Sequence, residues 1–359
     1  CPQYPLYSAT LTMAGGTALY YYLDEAAGWT VGQAELERSI HSGLKQVREY
    51  ERADLQAKAL AVIPLETLTE RAAANPAPLA DERDELARQL LRWFKKDFFK
   101  WVNNPPCDHC GSAKTHGGGG AQPTPAEAAA GAGRVETYTC ADCGGTTRFP
   151  RYNDPGKLLE TRRGRCGEWA NCFTLCCRAL GYEARWVRDW TDHVWTEVYS
   201  AALGRWVHAD PCEAAWDAPL TYEAGWNKKL TYVVAFGRDH VVDVSRRYTR
   251  KLSELLPRRT LAPEGWLELY IAQLNATLRG GMDAARRAWL EPALAAEAAE
   301  LAEAEARAAA AALKPEEQRG RQTGSLEWRR QRGELGGEAT QTAAASLAAR
   351  LAPSGACGL

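Results

Sequence analysis

No stretch of about 18 apolar residues occurs in the 359-residue chain and the mean hydropathy is −0.42, so no segment reads as a membrane span and a soluble protein is expected. A surplus of charge of either sign is missing as well: 44 Lys and Arg face 45 Asp and Glu, for a formal net charge of −1. That balance lacks the basic footprint on which nucleic-acid binding rests, so no nucleic-acid partner is expected. No basic run followed by an apolar core lies near the start, so no secretory signal is visible. The chain begins at Cys1 rather than methionine, which implies a processed or internal start. With 45% hydrophobic residues and 13 tryptophans, most of the chain can bury a core, which argues against wholesale disorder. Eleven cysteines, an odd number grouped mostly in two close pairs and along one helix, suit reduced thiols better than a disulfide framework and imply the cytosol.

The length allows one large domain or two ordinary ones. Residues 1–36, with Tyr20, Tyr21 and Tyr22 in no clear period, receive no assignment. Helical spacing runs from Glu35 to Tyr50 and again from Pro78 to Val102, where Leu86, Leu90, Trp93, Phe94, Phe98 and Trp101 fit one stripe. A stretch rich in Gly, Ala and Pro from Gly111 to Gly133 reads as a mobile loop. The domain expected to carry chemistry covers residues 37–260. Residues 261–313 read as an Ala-rich helical extension, with 16 alanines between 284 and 313 and little apolar bulk to bury. Residues 314–359 read as a disordered tail whose removal after about Lys314 should leave activity intact.

Cys107 and Cys110 form one C-x-x-C, Cys140 and Cys143 another, with 29 residues between the pairs. Turn formers flank both, as two thiolates facing one ion require. Four thiolates at about 2.3 Å make a closed tetrahedral site without room for a nucleophilic water, so the expectation is one structural Zn2+ per chain, the clip spanning 107–143. A redox C-x-x-C is the alternative, and His109 and His116 lie close enough in sequence to stand in for a thiolate.

From Gly164 to Leu180 the apolar stripe Trp169, Phe173, Cys176, Cys177 and Leu180 predicts a helix closed by Gly181. Cys166 falls in its first turn, at the positive end of the helix dipole and beside unpaired N–H groups, which favours its thiolate and offers an oxyanion site. Cys172, Cys176 and Cys177 fall deeper and read as core. Beyond Gly181 the chain alternates as strands, with His193, Trp195, Glu197 and Tyr199 on one face. A symmetric hairpin centred between Ala201 and Ala202 would set His193 directly opposite Asp210, within reach of an imidazole–carboxylate hydrogen bond. Cys166, His193 and Asp210 then make a cysteine-nucleophile hydrolase. His208 shares the face of Asp210 and leaves a second histidine in play.

These segments resemble the cytoplasmic peptide:N-glycanases in consistent order over about residues 37–260. The matching motifs are Trp93 to Asn103, the two C-x-x-C pairs, Thr147 to Asn153, Gly164 to Asn171, His193 to Glu197, Asp210 to Glu213, Gly225 to Leu230 and Asp243 to Arg250. The resemblance implies an α+β, transglutaminase-like (papain-related) core with an antiparallel sheet, N-terminal helices and the four-cysteine zinc insertion. It implies catalytic Cys166, His193 and Asp210, with Glu213, Trp101, Trp195 and Trp206 as sugar-binding residues. The activity implied is cleavage of the β-aspartylglucosaminyl amide of misfolded N-glycoproteins in ER-associated degradation, in the cytoplasm and with the nucleus compatible. The partners implied are proteasome shuttle factors or an AAA ATPase, although no adaptor domain before the core and no carbohydrate-binding module after residue 260 is recognisable. The rivals are another transglutaminase-like cysteine hydrolase or acyltransferase, and a non-catalytic DNA-damage recognition relative, which the three residues and the net charge disfavour.

Overall fold

The structure is a computed structural model describing residues 32–75, 78–79 and 81–336. It opens with α1 (Gly32–Glu49), α2 (Ala53–Val62), α3 (Leu65–Ala73) and α4 (Glu82–Trp93). The predicted helical spacings are realised in α1 and α4, while α2 and α3 fill a stretch to which the pattern gave no element. The second spacing, expected to run to Val102, ends as a helix at Trp93, where a π-helical turn over Phe94–Phe98 leads into a strand at Lys100–Trp101 that removes Trp101 from the helical stripe. Asp81 caps α4 by accepting the Asp84 N–H at 3.0 Å. The stripe is buried through Leu90 and Trp93 of α4 and Phe94 and Phe98 of the turn that follows it.

Next come β1 (Lys100–Trp101), β2 (Thr115–Ala121), α5 (Pro125–Ala129), β3 (Ala132–Cys140), β4 (Thr146–Tyr152), α6 (Pro155–Thr161) and β5 (Arg163–Gly164). β2, β3 and β4 make an antiparallel sheet, and β1 pairs in parallel with β5. The expectation of a mobile loop over 111–133 therefore fails. Gly117, Gly119 and Gly120 pair with Tyr138, Thr137 and Glu136 of β3, so the backbone groups that glycine leaves unshielded are used in a ladder.

Helix α7 (Cys166–Ala179) ends as predicted. Gly181 takes φ +74°, and the Tyr182 N–H closes on the Cys177 carbonyl at 3.1 Å. The strands β6 (Ala184–Asp189), β7 (His193–Ser200), β8 (Arg205–Asp210), β9 (Ala215–Trp216), β10 (Val233–Phe236) and β11 (Val241–Asp243) form one antiparallel sheet ordered β11-β10-β6-β7-β8-β9. On one face, Trp169, Phe173 and Cys176 of α7 meet Val198, Ala209, Val234 and Phe236. On the other, Val187, Trp195, Val233 and Ala235 bury with Tyr222, Trp226 and Tyr248. Mixed helices and antiparallel sheets give the α+β class expected.

The β7–β8 hairpin pairs Ser200 with Arg205 and Glu197 with His208, so it is centred between Ala202 and Leu203, one position beyond the predicted centre. Moving the centre by one shifts the register by two residues, and a shift of two keeps every side chain on its face. His193 and Asp210 are therefore diagonal neighbours, not the directly opposed pair expected.

The chain finishes with α8 (Leu252–Leu255), α9 (Glu264–Arg279), α10 (Ala284–Ala310) and α11 (Leu326–Gln331). The Ala-rich segment is helical in α10 but is not merely exposed: Leu290, Ala293, Glu297 and Leu301 are buried. The tail expectation needs correcting over 314–336. Arg319 bridges to Gly336, and Arg321 and Glu334 are almost fully buried. Residues 337–359 of that expected tail, and most of the unassigned 1–36, lie outside the described residues.

Candidate active site

Glycine at 164 is required by close approach, because a Cβ there would lie 2.4 Å from the Glu168 Cβ. Glu168 in turn accepts the Arg165 backbone N–H at 3.0 Å and holds Arg151 at 2.5 and 2.7 Å. Arg165 is gripped by Glu136 of β3 at 2.8 and 3.0 Å. The small sheet thus clamps the entry to α7, and that fixes the first helical residue, Cys166.

His193 opens β7, and its Nε2 lies 2.8 Å from Oδ2 of Asp210. Both side chains are buried. Beside that carboxylate, Nε2 is the nitrogen that carries a proton and donates. Nδ1 has no hydrogen-bond partner among the described residues, leaving it for the thiol. Asp210 also accepts the Cys212 N–H at 2.8 Å and the Tyr222 hydroxyl at 3.0 Å. The imidazole is boxed by Trp226, Tyr222 and Trp195 at 4.9, 5.2 and 5.8 Å.

Burial opposes ionisation of Cys166, but the neighbouring His193 and then the charge of Arg321 outweigh it and hold the thiol below its ordinary value. Burial likewise opposes the His193 charge, and Asp210 overrides it and raises the imidazole. Asp210 is held well below the carboxylate range by His193 in spite of burial. Cys172 and Cys177 go the other way, pushed up chiefly by burial. The arrangement favours a thiolate–imidazolium pair at Cys166 alone among these thiols.

His208 is a structural group. Burial drives it down to about 4. Its Nδ1 accepts the Ala218 N–H at 3.3 Å, so Nε2 carries the proton and donates to the Tyr222 oxygen at 2.7 Å, whose hydroxyl then faces Asp210.

The four candidate sugar contacts separate. Trp101 is half-buried, its ring 6.4 Å from Trp169 and 6.5 Å from Trp328. Trp195 and Trp206 are fully buried, so neither offers a ring face to a sugar as the resemblance implied. Trp195 donates to the Tyr248 hydroxyl at 2.7 Å, and Trp206 lies under the Arg185 guanidinium at 4.0 Å. Glu213 accepts the Gln322 N–H at 3.0 Å and the Thr323 hydroxyl at 2.7 Å, which makes it an anchor for the C-terminal segment.

Sequence reasoning missed Tyr222 and gave no role to Trp226, although the latter lies in the matched segment Gly225 to Leu230. It also missed a buried charge network behind the His193 strand. There Arg185 contacts Glu197 at 2.6 Å and Glu297 at 2.9 Å, and Arg247 contacts the same two carboxylates at 2.9 and 2.8 Å. Glu197 stood on the predicted face of His193, but only the fold could supply Glu297 from α10.

Cys107, Cys110, Cys140 and Cys143 place their sulfurs within 4.8 Å of one another and could hold one metal ion. The Cys107–Cys143 and Cys110–Cys140 separations are 3.5 and 3.6 Å, close to the roughly 3.8 Å edge of a tetrahedron with 2.3 Å metal–sulfur bonds. The Cys110 N–H, against burial and together with that of His109, pulls Cys107 down to about 6, and the Cys143 and Asp142 N–H groups lower Cys140 in the same way. Neither His109 nor His116 joins the cluster among the described residues.

Comparison with known proteins yields consistent matches. The family described as transglutaminase-like superfamily matches residues 118–211, and the Rad4 transglutaminase-like domain matches residues 190–294. A protein of Gallus gallus named peptide-N(4)-(N-acetyl-beta-glucosaminyl)asparagine amidase is 50% identical over 80% of this chain and 45% of its own length. Proteins of the same name from Arabidopsis thaliana and Yarrowia lipolytica are 46% and 42% identical, over 87% and 81% of this chain and 44% and 82% of their own lengths. The chain spans under half the length of the chicken and Arabidopsis relatives. Among solved structures, Rad4-Rad23 crosslinked to an undamaged DNA superposes with a TM-score of 0.48 at 14% identity, over 79% of this chain and 61% of that one, a likeness that bears on neither fold nor function.

Proposed function

As this chain belongs to the peptide:N-glycanase family of the transglutaminase-like superfamily, we propose that it is an amidase that removes N-linked glycans by cleaving the β-aspartylglucosaminyl bond. The observation that carries this is the lowered Cys166 thiol beside a His193 whose far nitrogen is held 2.8 Å from Asp210. The Cys166 thiolate attacks the side-chain amide carbon, and the first-turn N–H groups of α7 face the developing oxyanion. Nδ1–H of His193 protonates the leaving glycosylamine nitrogen as the C–N bond breaks. Water, deprotonated by the same nitrogen, then hydrolyses the thioester to aspartate and restores the thiol.

A folded glycoprotein holds its asparagine close to its own surface, whereas an unfolded segment reaches a thiol set between helix and hairpin at only the cost of local ordering. Denatured glycoprotein should be cleaved at least tenfold faster than the folded form in a gel-shift assay, leaving a peptide with the mass of aspartate at the glycan site. Recovery of asparagine there would rule out the amidase. This preference fits misfolded glycoproteins in ER-associated degradation, with proteasome shuttle factors or an AAA ATPase as partners. A cytoplasmic site, with the nucleus compatible, accords with free cysteines and with the lack, among the described residues, of a helix long and apolar enough to cross a membrane.

The cysteine cluster takes Zn2+ as a structural ion, since four thiolates leave no open position. It staples the sheet whose Glu136 grips Arg165, so the ion steadies the entry to α7. Metal analysis should find about one zinc per chain, and chelation should lower the melting temperature by roughly 10 °C or more, as expected for losing several kcal/mol. A metal-free protein of unchanged stability would contradict this.

A further inference from the structure

Residues 319–336 form a strap over the site. Gly225 lies so close beneath it that a Cβ there would sit 2.2 Å from the Arg319 carbonyl oxygen. One end of the strap is held by Glu213, three residues after Asp210, through Gln322 and Thr323. The other reaches the turn before His193, where Arg332 donates to Asp192 at 3.0 Å. Between these ties stands Arg321, 1% exposed. Its guanidinium carbon is 4.5 Å from the rings of Trp226 and Trp328 and 5.6 Å from Trp101. Trp226 is also the ring 4.9 Å from His193, and Trp101 neighbours Trp169 on the first turns of α7. Arg321 is thus bracketed by the surroundings of both members of the thiol–imidazole pair.

Its charge is only partly answered. Nη1 donates to Glu334 at 2.9 Å and Nε to Thr323 at 3.3 Å, but Nη2 is buried without a partner among the described residues. Glu334 is shared, since its other oxygen takes Arg332 at 2.9 Å. A buried guanidinium with a spare donor needs an anion, and leaving one unanswered is costly.

We propose that Arg321 is a positioning residue for the nucleophile: clamped between indoles and half-neutralised by Glu334, it supplies a second cation that holds Cys166 as its thiolate, joining the strap to the reaction centre. His193 and Arg321 favour the anion, Asp192 opposes it, Asp210 acts through His193, and Cys212 stays a neutral thiol because burial pushes it up. Against burial, the charge of Arg321 is supported by both Cys166 and Glu334.

The proposal rests on Cys166 being the nucleophile, so the test reads the thiol without glycan. Iodoacetamide alkylation of the full chain is followed against pH, with the product located on the Cys166 peptide by mass. Wild type should alkylate with a midpoint below the ordinary thiol value of about 8.5. Arg321→Met should raise that midpoint by about one pH unit, a tenfold loss of thiolate on the acid side, while Arg321→Lys should lose less than about threefold. Glu334→Gln keeps the shape, frees more of the guanidinium charge and should lower the midpoint. An unchanged midpoint in a folded Arg321→Met protein overturns the proposal. If that variant does not fold, an unchanged or raised midpoint in Glu334→Gln overturns it instead. A wild-type midpoint at the ordinary thiol value overturns the nucleophile assignment, and the Arg321 proposal with it.

Discussion

Replacing Cys166 by alanine is expected to abolish deglycosylation, with kcat/KM falling by at least about 10⁴-fold, while the melting temperature moves by no more than a few degrees. The rate loss follows because no other thiol in α7 combines a first-turn position with a depressed ionisation. The small stability effect follows from its half-buried place at the helix end, where truncation leaves little cavity. Cys172 offers the contrast. It is fully buried in the core under α7, so Cys172→Ala should cost about 1–2 kcal/mol in stability and leave the chemistry nearly intact. If Cys166→Ala retained turnover within tenfold of wild type in the gel-shift assay, the nucleophile would lie elsewhere.

Asp210→Asn should lower kcat by about 10³- to 10⁴-fold with little change in KM. Three donors converge on the Asp210 carboxylate: His193, Cys212 and Tyr222. An amide carries one acceptor oxygen, so the variant turns an NH2 toward a donor and frees the ring of its fixed tautomer. The pH profile should change as well. With Asp210 the imidazolium survives above its ordinary value, and without it the alkaline limb of kcat/KM should move to lower pH. Asp210 is depressed on folding, so its stabilisation is complete above its unfolded value of about 3.9 and is lost as pH falls through the folded value. His193 is raised, so its stabilisation is complete below about 6.5 and is lost as pH rises through the folded value. The wild-type pair should therefore stabilise most between about pH 3.9 and 6.5, and urea titrations should show that window flattened in Asp210→Asn.

The constellation was legible where chemistry follows from local pattern. A helix start marked Cys166, alternation put His193 and Asp210 on one face, and paired C-x-x-C spacing marked the cluster. The hairpin centre was misplaced by one residue without harm, because the turn over 201–204 changed the register by an even number. What stayed hidden depends on partners far off in sequence. The glycines of β2 read as a loop because composition does not show the strand they will pair with. Glu297 looked like one more solvated glutamate on an Ala-rich helix until the fold set Arg185 and Arg247 against it. Arg321 lies in a Gln- and Gly-rich stretch with no period, and its environment of three indoles comes from three separate parts of the chain. Truncation after Lys314, harmless on composition, removes that residue.

The strap also sets an order of events in synthesis. Gln322 is tied to a residue 109 positions earlier and Arg332 to one 140 positions earlier, so both contacts close late and over long loops. A ribosome adding about 5–20 residues per second makes Cys166, His193 and Asp210 roughly ten seconds before it makes Glu334. Through that interval the growing chain carries a triad without its second cation, and its thiol stays nearer the sluggish reactivity of free cysteine. Chemical competence is thereby delayed until nearly all of the described chain has been made.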